Sequence, residues 1–233
     1  MMTSLQVDDL ILEVRWSARR KTLGITVDRQ GELIAHAPVG VKASLLERFV
    51  REKKAWIYRK LAQKEALKQA FPKREYKNGE GFPYLGRSYR LLLVENQDVP
   101  LKLSHGRFRL IRTDAERGRG HFIRWYIEHA ASWIGPRVEE FAAAMGVRHD
   151  GVAIRDLGYR WGSCSPNGGL NFHWAVMLFP ASVVEYVIVH ELAHLIHRNH
   201  SPSFWRKVRQ VLPDFDARKE LLARNGGAML RMF

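Results

Sequence analysis

The sequence predicts an α+β fold, and three observations predict it. The first half alternates short apolar runs with turn residues, as strands and hairpins do. The second half carries apolar residues at helical spacing. One of those helical runs holds His190-Glu191-Leu192-Ala193-His194, two histidines four residues apart with a glutamate after the first.

In chain order, residues 11–16, 23–27 and 33–37 are predicted strands. Residues 17–21 and 28–31 look like the hairpin connections between them. Residues 42–69 form a long helical pattern through Leu45, Leu46, Phe49, Val50, Trp56, Ile57 and Leu61. Its other face holds Arg48, Arg51, Lys53, Lys54, Arg59, Lys60 and Lys64. Residues 72–81 are a loop, and strands follow on either side of Leu85-Gly86-Arg87. Residues 99–103 and 107–111 flank Ser104-His105-Gly106, a further hairpin signal. A second long helix is expected over residues 121–145, interrupted near Gly135-Pro136. Residues 152–156 suit a strand, and residues 160–165 with 169–174 suit a hairpin around Pro166-Asn167-Gly168. Helices follow over 182–198, 202–210 and 215–224, the second capped by Ser201 with Pro202 in its first turn. No internal repeat is visible.

A length of 233 residues suffices for one large or two small cores. The single cysteine, Cys164, excludes a disulfide framework and is expected to pack as a small apolar residue. No apolar run reaches the roughly 20 residues that cross a bilayer, and residues 1–9 do not resemble a secretory signal. A cytoplasmic protein without a membrane partner is expected. The net charge of +14 is uneven. Residues 1–112 hold 23 basic and 12 acidic side chains, whereas residues 113–233 hold 15 and 12. The sequence thus suggests a basic N-terminal region over 1–112 and a metal-bearing catalytic domain over 113–233, divided in the charged, Gly-rich stretch 112–120. Nucleic acid is a possible partner of the basic half.

On a helix, His190 and His194 lie one turn apart on one face, and Glu191 is turned to the side of it. That geometry suits one zinc ion per chain, with Glu191 close enough to act on a water. Ionisable residues inside the apolar run 183–189 and beyond would be costly without such compensation. His197 and His200 compete as third ligand. On a continuing helix His197 would lie about 10 Å along the axis from His190, beyond a common ion. A turn near Asn199 would bring His200 back, so His200 is favoured. Its spacing equals that of the zinc signature H-E-x-x-H-x-x-G-x-x-H, with His197 where that signature has glycine. Candidates for stabilising an oxyanion or touching substrate are His173, Asn171, Arg160 and Tyr126. Trp161 and Trp174 are expected to pack over the metal helix.

The run from His190 to His200, the following Ser201-Pro202-Ser203-Phe204-Trp205 and the preceding Arg160-Trp161-Gly162-Ser163-Cys164-Ser165 resemble the YgjP-like metallopeptidase family. Arg19-Arg20, Trp56-Ile57 and Tyr84-Leu85-Gly86-Arg87 extend the likeness over nearly the whole chain. The chain is more distantly similar to the SprT-like and WLM zinc proteases. The resemblance implies zinc on His190, His194 and His200, with Glu191 as catalytic base. It also implies a zincin-like core, gluzincin or metzincin in type, with a hairpin beside the metal helix. The SprT-like and WLM relatives act on proteins bound to DNA, which would suit the basic half.

The function expected is therefore zinc-dependent hydrolysis of a protein or peptide. One alternative is metal-dependent hydrolysis of a nucleoside triphosphate, although no Gly-rich phosphate loop or carboxylate cluster for Mg²⁺ is evident. The other is a nucleic-acid-associated module with structural zinc, against which a single cysteine speaks.

Overall fold

The computed structural model describes residues 4–27, 32–70, 74–158 and 160–233. The expected connection at 28–31 and the start of the loop at 72–81 lie outside these. Among the described residues the chain is mixed α and β, with six α-helices and three small sheets. It divides into two compact units, Met1–Pro72 and Lys73–Phe233. The shift in charge near 112–120 marks something different from this division: the strands before it share a core with the helices after it.

In the first unit, β1 (Ser4–Val7) and β2 (Leu10–Ser17) form a hairpin. Leu10, Leu12 and Val14 point inward, whereas Ile11, Glu13 and Arg15 point to solvent, the period-two pattern of a half-buried strand. The residues 17–21 do not close the expected hairpin. β2 pairs in parallel with β4 (Leu33–Pro38), and β3 (Gly24–Val27) pairs antiparallel on the far side of β4. This register sets Leu12 opposite Leu33 and Val14 opposite Ala35, so burial of both strands on one face decides the partner. The expected helix over 42–69 is two: α1 (Ala43–Glu52) and α2 (Lys54–Ala70), broken at Lys53. Leu46, Val50 and Ile57 bury them against the sheet. Part of the basic face is neutralised within the unit, where Arg51 and Lys54 approach Asp8 and Lys54 approaches Asp9.

The second unit opens with the hairpin β5 (Gly81–Tyr84) and β6 (Arg87–Val94). Leu85 and Gly86 both have positive φ, 47° and 82°, the two-residue turn whose twist matches a hairpin. β7 (Leu101–Ser104) and β8 (Arg107–Ile111) form another, turning at His105-Gly106. β6 and β8 pair in parallel. The resulting order β5-β6-β8-β7 has the same senses of pairing as β1-β2-β4-β3. A repeat is therefore present in the topology, although none is visible in the sequence.

A 3-10 turn at Arg112–Arg117 leads into α3 (Gly118–Met145), which runs unbroken through Pro136. Pro136 and Ser132, whose carbonyl loses its donor, both lie on the exposed face. The exposed face is where a carbonyl without its helical donor costs least, while Ala130, Ile134, Val138 and Ala142 hold the other face in the core. Phe82, Phe108, Phe122, Trp125 and Tyr126 stack between α3 and the sheet. The chain then forms a three-stranded sheet, order β10-β11-β9, from β9 (Val152–Arg155), β10 (Gly162–Cys164) and β11 (Leu170–His173). Three helices complete the unit: α4 (Ala181–Ala193), α5 (Pro202–Val211) and α6 (Phe215–Leu230). Two contacts fix α4. The β5–β6 turn abuts its start, with Leu85 N–H donating to Met177 O at 2.8 Å. Arg218 of α6 ties its first turn through Ser182 O and Glu185.

Candidate metal centre

α4 is apolar almost all round: Val183, Val184, Val187, Ile188, Val189 and Leu192 are buried, as a helix inside a protein must be. Its last turn breaks that pattern with His190 and Glu191. The helix ends at Ala193 rather than at the expected residue 198, and His194 occupies the capping position. Residues 194–197 follow as short turns, with the N–H groups of Leu195 and Ile196 reaching back three residues. This early stop is what frees the chain to return. Ser201 then caps α5, its Oγ accepting from Phe204 N–H at 3.3 Å, with Pro202 in the first turn as expected.

The return places His200 against the helix. One ring nitrogen each from His190, His194 and His200 lies within 4.8 Å of the others. Nε2 of His190 and Nε2 of His200 are 3.1 Å apart. Two imidazole nitrogens at that distance share either a proton, as an N–H···N hydrogen bond, or a cation. Tetrahedral zinc with Zn–N near 2.0–2.1 Å has ligand atoms about 3.3–3.4 Å apart, so the donor set fits such an ion. Orientation fits too. Nδ1 of His194 is 3.0 Å from His197 O; a carbonyl only accepts, so Nδ1 carries the proton and Nε2 keeps its lone pair. His197 thus contributes its backbone, and its ring is outside the group. Beneath the three rings lies Phe204, with ring centres 5.0, 4.7 and 4.9 Å from those of His190, His194 and His200. Trp205 stacks on His200 and is itself backed by Phe215. Burial, followed by the neighbouring His194, His200 and Lys219, pushes the His190 pKa down to about 3, leaving the neutral form that binds metals.

Glu191 is 5 % exposed. Burial raises its carboxyl to about 7, and Arg160 acts in the opposite direction. It lies against β10 at Gly162, where a Cβ would stand 2.5 Å from Glu191 Oε1. Only glycine leaves room for the carboxylate there. His190, Glu191, His194 and His200 face a cavity of about 660 Å³, lined also by Arg148, Arg160, residues 162–168, Leu195 and Arg198.

Of the four expected oxyanion or substrate residues, Arg160 alone lines this cavity. Tyr126 is buried in the aromatic core and donates to Pro83 O at 2.6 Å. His173 is fully buried: its Nδ1 accepts from Ala175 N–H at 3.0 Å, and its Nε2 is 3.3 Å from Asp156. Asn171 sits across the hairpin and donates to Ser163 Oγ at 3.4 Å. Tyr126 and His173 are engaged by Pro83 and Asp156, segments whose approach spacing does not disclose, whereas Asn171 pairs across the expected hairpin. Trp161 and Trp174 pack in the core as expected, Trp161 against Gly226 of α6. Gly162, Phe204, Arg148 and Arg198 belong to the site, and sequence reasoning misses them. Phe204 has a signal, an aromatic in the first turn after a histidine; Gly162 has none beyond being a glycine in a strand.

A family model described as the YgjP-like metallopeptidase domain matches residues 21–225. No curated protein matches the chain. Among solved structures, it is similar to the metallopeptidase zymogen abylysin of Pyrococcus abyssi at 26% identity, over 39% of this chain and 93% of that one, with a TM-score of 0.36. It is also similar to the metallopeptidase zymogen jannalysin of Methanocaldococcus jannaschii at 20% identity, over 40% and 95%, with a TM-score of 0.36. No helix among the described residues is long and apolar enough to cross a membrane.

Proposed function

The chain belongs to the YgjP-like metallopeptidase family, and from that premise we propose that it hydrolyses peptide bonds at one zinc ion held by His190, His194 and His200. One observation carries this reading: three imidazole nitrogens within 4.8 Å face the cavity that also receives the buried carboxylate of Glu191. Three borderline nitrogen donors with no sulfur suit catalytic rather than structural zinc, because a fourth position stays open. We read the core as zincin-like, with α4 as the metal helix, β10 beside it, and the whole apparatus inside the unit Lys73–Phe233.

When bound, zinc at this place supplies Lewis acidity, lowering the pKa of a water towards about 7 and polarising the scissile carbonyl. The rest is done by the chain. Glu191, held against Gly162, accepts the proton from the attacking water and hands it to the departing amine nitrogen. Arg160 reaches the same cavity and stabilises the negative charge that develops on the carbonyl oxygen. Among the described residues β10 is paired by β11 on one side only, and an extended peptide can pair along its other edge. His194 is kept in the right tautomer by His197 O, and Phe204 holds the three rings from below.

The test combines metal analysis with hydrolysis of an unstructured protein. Glu191→Gln keeps near-stoichiometric zinc and loses turnover; His200→Ala loses zinc; His197→Ala keeps it. Retained turnover in Glu191→Gln removes that residue as base. Zinc kept by His200→Ala and lost by His197→Ala exchanges the third ligand.

A further inference from the structure

Fifteen of the described residues line the cavity, and their charges are one-sided. Glu191 is the one carboxylate among them, whereas Arg148, Arg160 and Arg198 all contribute. The arginines come from three separate segments: the loop after α3, the approach to β10, and the turn after α4. Elsewhere in this unit many arginines are matched to acids, as Arg74 is to Glu80, Arg112 to Glu95, Arg209 to Asp216 and Arg218 to Glu185. None of the three cavity arginines has a salt-bridge partner among the described residues. The three arginines therefore add positive charge to the lining of the cavity.

Unmatched guanidinium groups around a cleft raise the local concentration of anions and offer them paired donors. Two kinds of anion meet that description, polyphosphates and carboxylates. A triphosphate brings Mg²⁺, which needs one or two carboxylates besides the phosphate oxygens. The single carboxylate here is buried and lies against Gly162. Among the described residues β10 is paired on one side only and its residues line the cavity, which suits an extended peptide, whose alternate side chains would face the same side.

We infer that Arg148 and Arg198 select peptides carrying aspartate or glutamate beside the scissile bond, so that the enzyme acts on acidic segments. The inference rests on the peptidase reading, and its failure can be told apart from the failure of that reading. Matched peptides are needed, one with Asp or Glu on both sides of the cleavage point and one with Asn or Gln there. Two measurements are made with each pair: kcat/KM by the zinc-loaded protein, and binding by zinc-loaded Glu191→Gln, which reads affinity without turnover. The acidic peptide should lead by about tenfold in both at low salt, as expected of a few partly screened charge contacts, and the lead should shrink as salt rises. In Arg148→Gln/Arg198→Gln the ratio should fall towards one, with zinc content unchanged as proof of an intact fold. Equal handling of the two peptides by the wild-type protein overturns the inference and leaves the peptidase reading standing. An unchanged ratio in the double variant overturns it as well. Hydrolysis of nucleoside triphosphates with neither peptide cleaved overturns both.

Discussion

The sheet β1-β2-β4-β3 and the sheet β5-β6-β8-β7 have the same strand order, and each runs antiparallel, parallel, antiparallel across its three pairings. Each is followed by helix. The interiors differ. Around the first, the buried residues are aliphatic: Leu5, Leu10, Leu12 and Leu33 meet Leu46, Val50 and Ile57. Around the second they are largely aromatic, with Phe82 and Phe122 stacked at 3.9 Å and Phe108, Trp125 and Tyr126 packed edge-on nearby. The helices differ in turn. α1 buries one face through Leu46 and Val50, with Ile57 of α2 beside them, while α3 carries its core on through the elements before α4 and into α4 itself. The same topology therefore serves two ends. In the first unit it closes a small core; in the second it is the platform on which a later sheet and three helices assemble the proposed metal centre.

The comparison breaks most readily at its aromatic part. Phe122→Ala removes a fully buried ring and should destabilise the second unit by about 3–5 kcal/mol. Leu46→Ala, its aliphatic counterpart on α1, should cost about 2–5 kcal/mol. Thermal melts would give both values, and metal analysis would separate them: Phe122→Ala should weaken zinc retention, and Leu46→Ala should not. Equal loss of zinc in both would show that the platform role does not belong to the second sheet.

Gly162→Ala comes next. Its methyl group would meet Glu191 Oε1 at 2.5 Å, and overpacking of this kind typically costs about 1–3 kcal/mol. Turnover should fall far more than stability, because the displaced group is the proposed base. A variant with full activity would mean that β10 does not position Glu191. The smallest effect is expected at the cap of α5. Ser201→Ala gives up the Oγ bond to Phe204 N–H, a loss of about 1 kcal/mol. It should raise the rate of zinc loss to a chelator, since Phe204 supports all three histidines. An unchanged rate would confine the cap to stability.

Much of the molecule is legible in the chain and some is not, for definable reasons. The i, i+4 histidines and the Ser201-Pro202 cap are local signals, and local geometry alone brings His190, His194 and His200 together. The turns at Leu85-Gly86 and His105-Gly106 are likewise local, because both residues of each need positive φ. What escapes depends on distant partners. Residues 17–21 have hairpin length, yet β2 takes β4 because the buried faces match there. Pro136 looks like a helix breaker until it and Ser132 are both placed on the exposed face of α3. Tyr126 and His173 have the chemistry of catalytic groups, but Pro83 O and Asp156 claim them inside the fold. The repeat of topology leaves no repeat of residues, since one copy is filled with aliphatic side chains and the other with rings.

The measurement that bears most directly on the metal centre is X-ray absorption at the zinc edge of the zinc-loaded protein. The predicted spectrum has three imidazole nitrogens at about 2.0–2.1 Å, one further light atom and no sulfur. A sulfur neighbour would bring in Cys164 of the cavity wall, and a spectrum with fewer than three imidazoles would take His200 out of the site. Either result contradicts a zinc ion held by three histidines with its fourth position open.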